Sequence, residues 1–222
     1  MHQAIPAVAV GCPVVVKPSL ATPLSCLSLE AMLLEAGLPK GWMTTVLAEN
    51  DTSERLVTDD RLGFFSFIGS AKVGWSLRSK LAPGVRCALE HGGAAPVIVV
   101  DEDIQHLLPT LVKGAFYHAG QVCVSVQRVF VPHQKAEAFA KKLAAEADKL
   151  VVGDPSSDKT DVGPLINRHE ADRIDHWVQE AVTQGAKLVT GGKRLGPTLY
   201  SPTVLLNPPA HAKYRLFSVT LN

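Results

Sequence analysis

Hydrophobic positions along the chain come first as short β-branched runs: "PVVVK" (13–17), "WMTTVLA" (42–48), "LGFFSFIG" (62–69) and "GVRCALE" (84–90). Their apolar character is almost unbroken, which predicts strands buried on both faces, as in parallel sheets covered by helices. Between the first two lies "TPLSCLSLEAMLLEAGLP". It predicts a helix with Thr22 as N-cap, Pro23 at the first helical position, and Gly37 and Pro39 as stop signals. Strand, helix and strand at this spacing predict parallel βαβ units.

A second set follows "LEHGGAAP". The pattern predicts a strand over 97–101, a helix through about 103–119, a strand over 126–132 and a helix over 133–150. The segment "KAEAFAKKLAAEADKL" carries an apolar stripe opposite a charged face. After the loop "GDPSSDKTDVGPLI", "RHEADRIDHWVQEAVTQG" predicts a helix ended by Gly185, and "KLVTGG" and "PTVLL" predict short strands. Gly92-Gly93 and Pro96 mark the expected domain junction, and no internal repeat is visible. The reading is an α/β fold of parallel βαβ units in two successive domains.

Composition sharpens this picture only a little. At 222 residues the chain has room for one or two domains, and 46% hydrophobic against 19% charged residues excludes a disordered chain. A net charge of +1 offers no electrostatic argument for nucleic acid or an anionic membrane. Cys12, Cys26, Cys87 and Cys123 form no C-x-x-C pair and no metal-ligand spacing with the eight histidines. No metal is therefore expected, and a reducing cytoplasm is. "AIPAVAVGCPVVV" (4–16) lacks the basic leader of a signal peptide and is broken by Pro6, Gly11 and Pro13. No run approaches the roughly 20 apolar residues that span a bilayer.

Candidate chemistry is sparse. Cys123, in "FYHAGQVCVSVQRVFV", is a possible thiolate nucleophile beside a glycine-flanked bend; read alone, the stretch favours a packed cysteine, since free cysteine is among the most buried residue types. The other three cysteines lie in or near apolar runs, where packing is the stronger reading. Glu90 ends a strand just before Gly92-Gly93, at the carboxyl edge where ligands of parallel sheets collect. It can serve as a general base or as an ion-paired strand end. "FSFIGSAKVG" sets Gly69 and Ser70 before a helical segment, which fits a phosphate seat or plain capping, and it is neither a dinucleotide fingerprint nor a Walker loop. Lys17 ends a strand before Pro18 and suits a polar ligand or solvent. His118 lies near Cys123, where a histidine can raise the thiolate fraction or simply satisfy a hydrogen bond.

Taken in order, "GCPVVVKPSLATPLS", "FSFIGSAKVG", "LEHGGAAPVIVVDEDIQ", "GQVCVSVQRVFV", "GDPSSDKTDVGPLI" and "GAKLVTGGKR" resemble the aldehyde dehydrogenase superfamily along nearly the whole chain. The resemblance implies a partial Rossmann-like cofactor domain over residues 1–90 and a partial α/β catalytic domain over 91–222. It implies NAD- or NADP-dependent oxidation of a small aldehyde to a carboxylic acid, with Cys123 as nucleophile through a thiohemiacetal and thioester, and Glu90 activating the hydrolytic water. Lys17 and Ser19 fall near the adenosine ribose, Gly69 and Ser70 near the pyrophosphate, and Val73 near the adenine. His91, which replaces the usual leucine, completes the cofactor set. Leu20 stands where NAD-preferring members often hold a glutamate, so NADP stays open.

The same resemblance exposes departures. The segment carrying the oxyanion asparagine is expected to precede this chain, a donor worth roughly 3–4 kcal/mol by analogy with other oxyanion holes. Arg215 stands where a ribose-binding glutamate is usual, with Phe217 retained, and His118-Ala119 replace Asn-Gln. A further catalytic segment and an oligomerisation strand are expected beyond Asn222. Two readings follow. One is an aldehyde dehydrogenase represented by an incomplete chain; the other is a truncated, inactive homologue that serves as an interaction module or is a gene remnant. In either case the 222-residue chain is expected to turn over weakly or not at all. Open sheet edges predict association, as a homo-oligomer or with a covering partner. "GQVCVSVQRV" favours small polar aldehydes over retinal, and the retained Glu90 favours hydrolysis over acyl transfer to coenzyme A.

Overall fold

The computed structural model describes residues 2–100, 104–208 and 218–221, which fall into two compact units, 1–91 and 92–222. The first unit runs α1 (Ala4–Ala9), β1 (Val14–Val16), α2 (Leu24–Glu35), β2 (Met43–Thr45), α3 (Asn50–Val57), β3 (Phe64–Gly69), α4 (Ala71–Arg78) and β4 (Arg86–His91). β1 pairs with β2 in parallel, with Val14 opposite Met43. β3 pairs with β4 in parallel, from Phe64 opposite Arg86 to Gly69 opposite His91. The two predicted βαβ units are thus β1–α2–β2 and β3–α4–β4.

The 4–16 stretch does more than the sequence indicated. Its first part is helix α1, which accommodates Pro6 because the first turn has no intrahelical use for that N–H. Gly11, at φ +86°, then ends the helix: its N–H bonds the Val8 carbonyl and that of Cys12 bonds the Ala7 carbonyl. Gly37 ends α2 in the same manner, at φ +94°, with Leu38 N–H on the Leu33 carbonyl. The start of α2 differs from expectation. Thr22 makes no cap; Pro23, whose ring holds φ in the helical range, takes the N-cap position, and its carbonyl accepts from the N–H groups of Cys26 and Leu27.

Burial on both strand faces is not observed in this unit. Val15 is 60% exposed, Phe64 54% and Ile68 62%. The reason is the size of each sheet, because two strands with one crossover helix are covered by that helix on one side only. Helix α2, apolar on every side, buries none of its residues.

The second unit contains β5 (Ala95–Ile98), α5 (Leu108–Phe116), β6 (Val126–Val131), α6 (Ala136–Ala147), α7 (Arg168–Thr183), β7 (Lys187–Thr190), β8 (Val204–Leu206) and β9 (Ser218–Leu221). Its sheet runs in the order β5-β6-β9-β8-β7, parallel except between β7 and β8. The strand expected over 97–101 is displaced and contains Pro96. β5 lies at the sheet edge, where a residue without an N–H is tolerated, and its register slips between Ala95 and Pro96. The helix expected through 103–119 ends at Phe116.

The core of this unit forms where α6 meets the sheet. Ala136, Phe139, Ala140, Leu143, Ala144 and Ala147 recur at helical spacing and are all buried, against Val129, Val131 and Val204. α7 is capped by Asn167, whose side chain accepts from Glu170 N–H at 2.9 Å, and ends before Gly185 at φ +103°. Its buried Ala171, Val178 and Ala181 pack with Tyr200 and Leu205 in a second cluster.

Candidate active site

The β3–β4 pair gathers most of the candidate cofactor residues at its carboxyl edge. Register sets Ile68 opposite Glu90 and Gly69 opposite His91. Ser70 follows in extended conformation as the N-cap of α4, its Oγ accepting from Val73 N–H at 3.3 Å. The cap is also open to solvent: Ser70 and Val73 are exposed, as is Glu90. A Cβ built on Gly69 would stand 2.5 Å from the Phe67 ring, so a larger residue there would have to push that ring aside. His91 faces inward. Its Nδ1 lies 3.4 Å from the Gly69 carbonyl oxygen, while Nε2 is buried without a partner among the described residues.

Lys17 and Ser19 lie at the carboxyl end of β1, on the other strand pair. Lys17 is half-buried beside buried Pro18 and makes no ion pair among the described residues. Ser19 is exposed, and its Oγ accepts from Ala21 N–H at 3.3 Å, closing a small turn. Leu20 beside it is 43% exposed.

Cys123 belongs to the second unit and is exposed, which removes the packed-cysteine reading. It sits not in the strand but in a turn three residues before β6, closed by Ser125 N–H on the Val122 carbonyl at 3.0 Å. Cys12 is exposed as well, and Cys26 and Cys87 are half-buried, so none of the four is a core residue. His118 does not engage the thiol. Its ring lies against Tyr117, with ring centroids 3.9 Å apart, and only its backbone carbonyl enters the loop's hydrogen bonding.

The approach to Cys123 is strained. His118, Ala119 and Gly120 all take left-handed conformations, at φ +50°, +55° and +72°. For Ala119 this costs on the order of 1–2 kcal/mol. The turn explains why the predicted helix stops at Phe116, and it falls where the resemblance expects asparagine, a residue that tolerates this conformation.

Two residues that shape the loop escaped the sequence reading. Gln121 donates from Nε2 to the carbonyls of His118 (3.0 Å) and Pro164 (3.2 Å), and its Oε1 accepts from Ile166 N–H (2.8 Å). It thereby ties the cysteine loop to the end of "GDPSSDKTDVGPLI". The only signal for it was its place in the Gly-Gln-x-Cys stretch, which gave it no role. Gly93 is the second: a Cβ there would stand 3.0 Å from the Cys123 carbonyl oxygen. In the same tethered loop, Asp154 accepts from the Ser156 N–H and hydroxyl, which hold its carboxyl below the usual aspartate range.

Arg215 and Phe217 lie outside the described residues. Among the described residues no group of three or more His, Cys, Asp or Glu side chains is placed to hold a metal ion. No described helix is long and apolar enough to cross a membrane.

Comparison with known proteins agrees along nearly the whole chain. The 3-sulfolactaldehyde dehydrogenase of Priestia aryabhattai is 41% identical over 209 residues, covering 93% of this chain and 43% of that protein. The glyceraldehyde-3-phosphate dehydrogenase of Methanocaldococcus jannaschii, solved with NADP, matches with a TM-score of 0.89 at 33% identity, over 99% of this chain and 50% of that one. An aldehyde dehydrogenase of Mycobacterium tuberculosis, solved with NAD+, matches with a TM-score of 0.90 at 28% identity, over 98% and 48%. The chain thus spans about half the length of the proteins it matches. Its residues 1–215 match the model of the aldehyde dehydrogenase family, and the chain belongs to that family.

Proposed function

We propose that this chain carries the nucleophile and much of the cofactor seat of an NAD(P)-dependent aldehyde dehydrogenase, with residues 1–90 as cofactor domain and 91–222 as catalytic domain. The observation that carries the reading is the exposed Cys123 thiol in a turn tied down by Gln121. A cysteine held open in this way is arranged for chemistry rather than packing.

The residues present fit a dinucleotide. Gly69, close against the Phe67 ring, leads into Ser70 and the first turn of α4, a combination that favours a phosphate. Lys17 and Ser19 would hold the adenosine ribose, Gly69 and Ser70 the pyrophosphate, and Val73 would flank the adenine. When bound, the nicotinamide supplies a two-electron acceptor for hydride. Relatives solved with NADP and with NAD+ support either dinucleotide, and Leu20 raises no carboxylate against a 2′-phosphate.

Cys123 as thiolate adds to the aldehyde carbon, forming an S–C bond, and the carbonyl oxygen becomes the thiohemiacetal oxygen. Loss of hydride from that carbon leaves a thioester on Cys123. Glu90 takes a proton from water, the hydroxide adds to the thioester carbon, and the C–S bond breaks to release a carboxylic acid and the thiolate. The net change is aldehyde, water and NAD(P)+ to acid, NAD(P)H and a proton. A small polar or anionic aldehyde is the substrate class, in keeping with relatives named for 3-sulfolactaldehyde and glyceraldehyde 3-phosphate. The exposed apolar faces of the first unit support association, and the absence of clustered cysteines supports a cytoplasmic setting.

The test pairs two readouts on the chain. Formation of NADH or NADPH is followed with a panel of small aldehydes, and acylation of Cys123 by a nitrophenyl ester is followed by peptide mass spectrometry. Reduction, however slow, is expected to vanish in Cys123→Ala, and acylated Cys123 to accumulate in Glu90→Gln. Reduction that survives Cys123→Ala, or a Cys123 that the ester does not acylate in the parent chain, would overturn the reading.

A further inference from the structure

The family resemblance sets a leucine where this chain has His91, and the structure gives the imidazole a specific seat. Register pairs His91 with Gly69, the residue just before Ser70. The ring lies beside Trp75, with centroids 6.1 Å apart, and over Gly74. A Cβ on Gly74 would stand 2.5 Å from its Cε1 and 3.3 Å from its Nδ1, so glycine is what makes the seat wide enough.

Among the described residues, the one polar contact of the ring is with the Gly69 carbonyl, 3.4 Å from Nδ1. A carbonyl can only accept, so this contact is a hydrogen bond in the tautomer that carries the proton on Nδ1. Nε2 is buried and, among the described residues, unpartnered, so neither nitrogen is placed to contact a ligand directly. The consequence runs through the backbone. The Gly69 carbonyl and the Ser70 N–H belong to one planar trans peptide and point in opposite directions. Holding that carbonyl toward His91 aims the Ser70 N–H away from it, at the turn before α4. A leucine would fill the seat but offer that carbonyl no donor.

We propose that His91 is a positioning residue of the dinucleotide site: its Nδ1–H holds the Gly69 carbonyl and so orients the Gly69–Ser70 peptide toward the pyrophosphate. This rests on the reading of that turn as the phosphate seat. Two substitutions separate hydrogen bonding from packing. His91→Leu keeps bulk and loses the donor; His91→Asn keeps a donor at the reach of Nδ1.

The test has one arm without dinucleotide and one with it. Long-range 1H–15N correlation on the labelled chain is expected to show the Nδ1–H tautomer, with Ser70 amide exchange faster in His91→Leu and near parental in His91→Asn. NADH and NADPH titrations are expected to show affinity reduced roughly three- to tenfold in His91→Leu and largely restored in His91→Asn. An Nε2–H tautomer, or a leucine variant equal to the parent, would overturn the proposal. Parent protein that binds neither NADH nor NADPH would overturn the dinucleotide reading and this role with it, and would be told apart by an intact tautomer and exchange result in the first arm.

Discussion

Replacing Gln121 by alanine should loosen the loop that presents Cys123. The side chain makes three hydrogen bonds, two donated to the His118 and Pro164 carbonyls and one accepted from Ile166 N–H. Each is worth roughly 0.5–1.5 kcal/mol net, and water replaces part of that at this exposed position. A total near 2 kcal/mol corresponds to about a 30-fold shift in local opening. Gln121→Glu provides the internal control. It keeps an acceptor for Ile166 N–H but turns oxygen toward two carbonyls, so it should open the loop at least as much as alanine does. Deuterium exchange of peptides covering 117–125 and 164–168 reads the opening, and iodoacetamide alkylation with peptide mapping reads Cys123. The reasoning fails if Gln121→Ala changes exchange at Ile166 by less than roughly threefold and leaves Cys123 alkylation unaltered.

Three further outcomes follow from the second unit. Gly191 has φ +81°, and a Cβ there would run into the Pro202 carbonyl and stand 2.7 Å from Thr203 Cα. Gly191→Ala should cost at least about 3 kcal/mol in urea unfolding, and a near-neutral value would refute the tight approach. Leu205 is fully buried on β8, so Leu205→Ala should lose roughly 2–5 kcal/mol by the same assay. The Arg194 guanidinium, hydrogen-bonded to Asp172, holds that carboxyl below the usual aspartate value of 3.8. A depressed folded-state pKa contributes stability above the unfolded value and loses it as pH falls through the lower folded one. The unfolding midpoint should therefore fall less steeply below about pH 4 in Arg194→Gln than in the parent, and parallel profiles would remove the pair from the acid response.

Much of the local structure was legible because its causes are local. Gly37 and Gly185 end helices by adopting the left-handed conformation that carbonyl-satisfying caps require, and β-branched runs separated by a capped helix form βαβ units. The order of the motifs pointed to the family for the same reason, since each motif is a short segment whose chemistry depends on neighbours in sequence. The cysteine itself was ambiguous until its exposure in the Val122–Ser125 turn was seen.

What the sequence determined by itself was the succession of strands and helices, the glycine stops and the residues able to carry chemistry. Only the tertiary structure decided the rest. β9 is inserted between β6 and β8, a pairing no local pattern encodes. Gln121 reaches carbonyl and amide partners more than forty positions away. His91 stands against Gly69 because of the register between β3 and β4, which the sequence of each strand does not set. The apolar runs of the first unit, which read as doubly buried, lie partly exposed because burial depends on how many strands and helices surround a segment, not on its own composition.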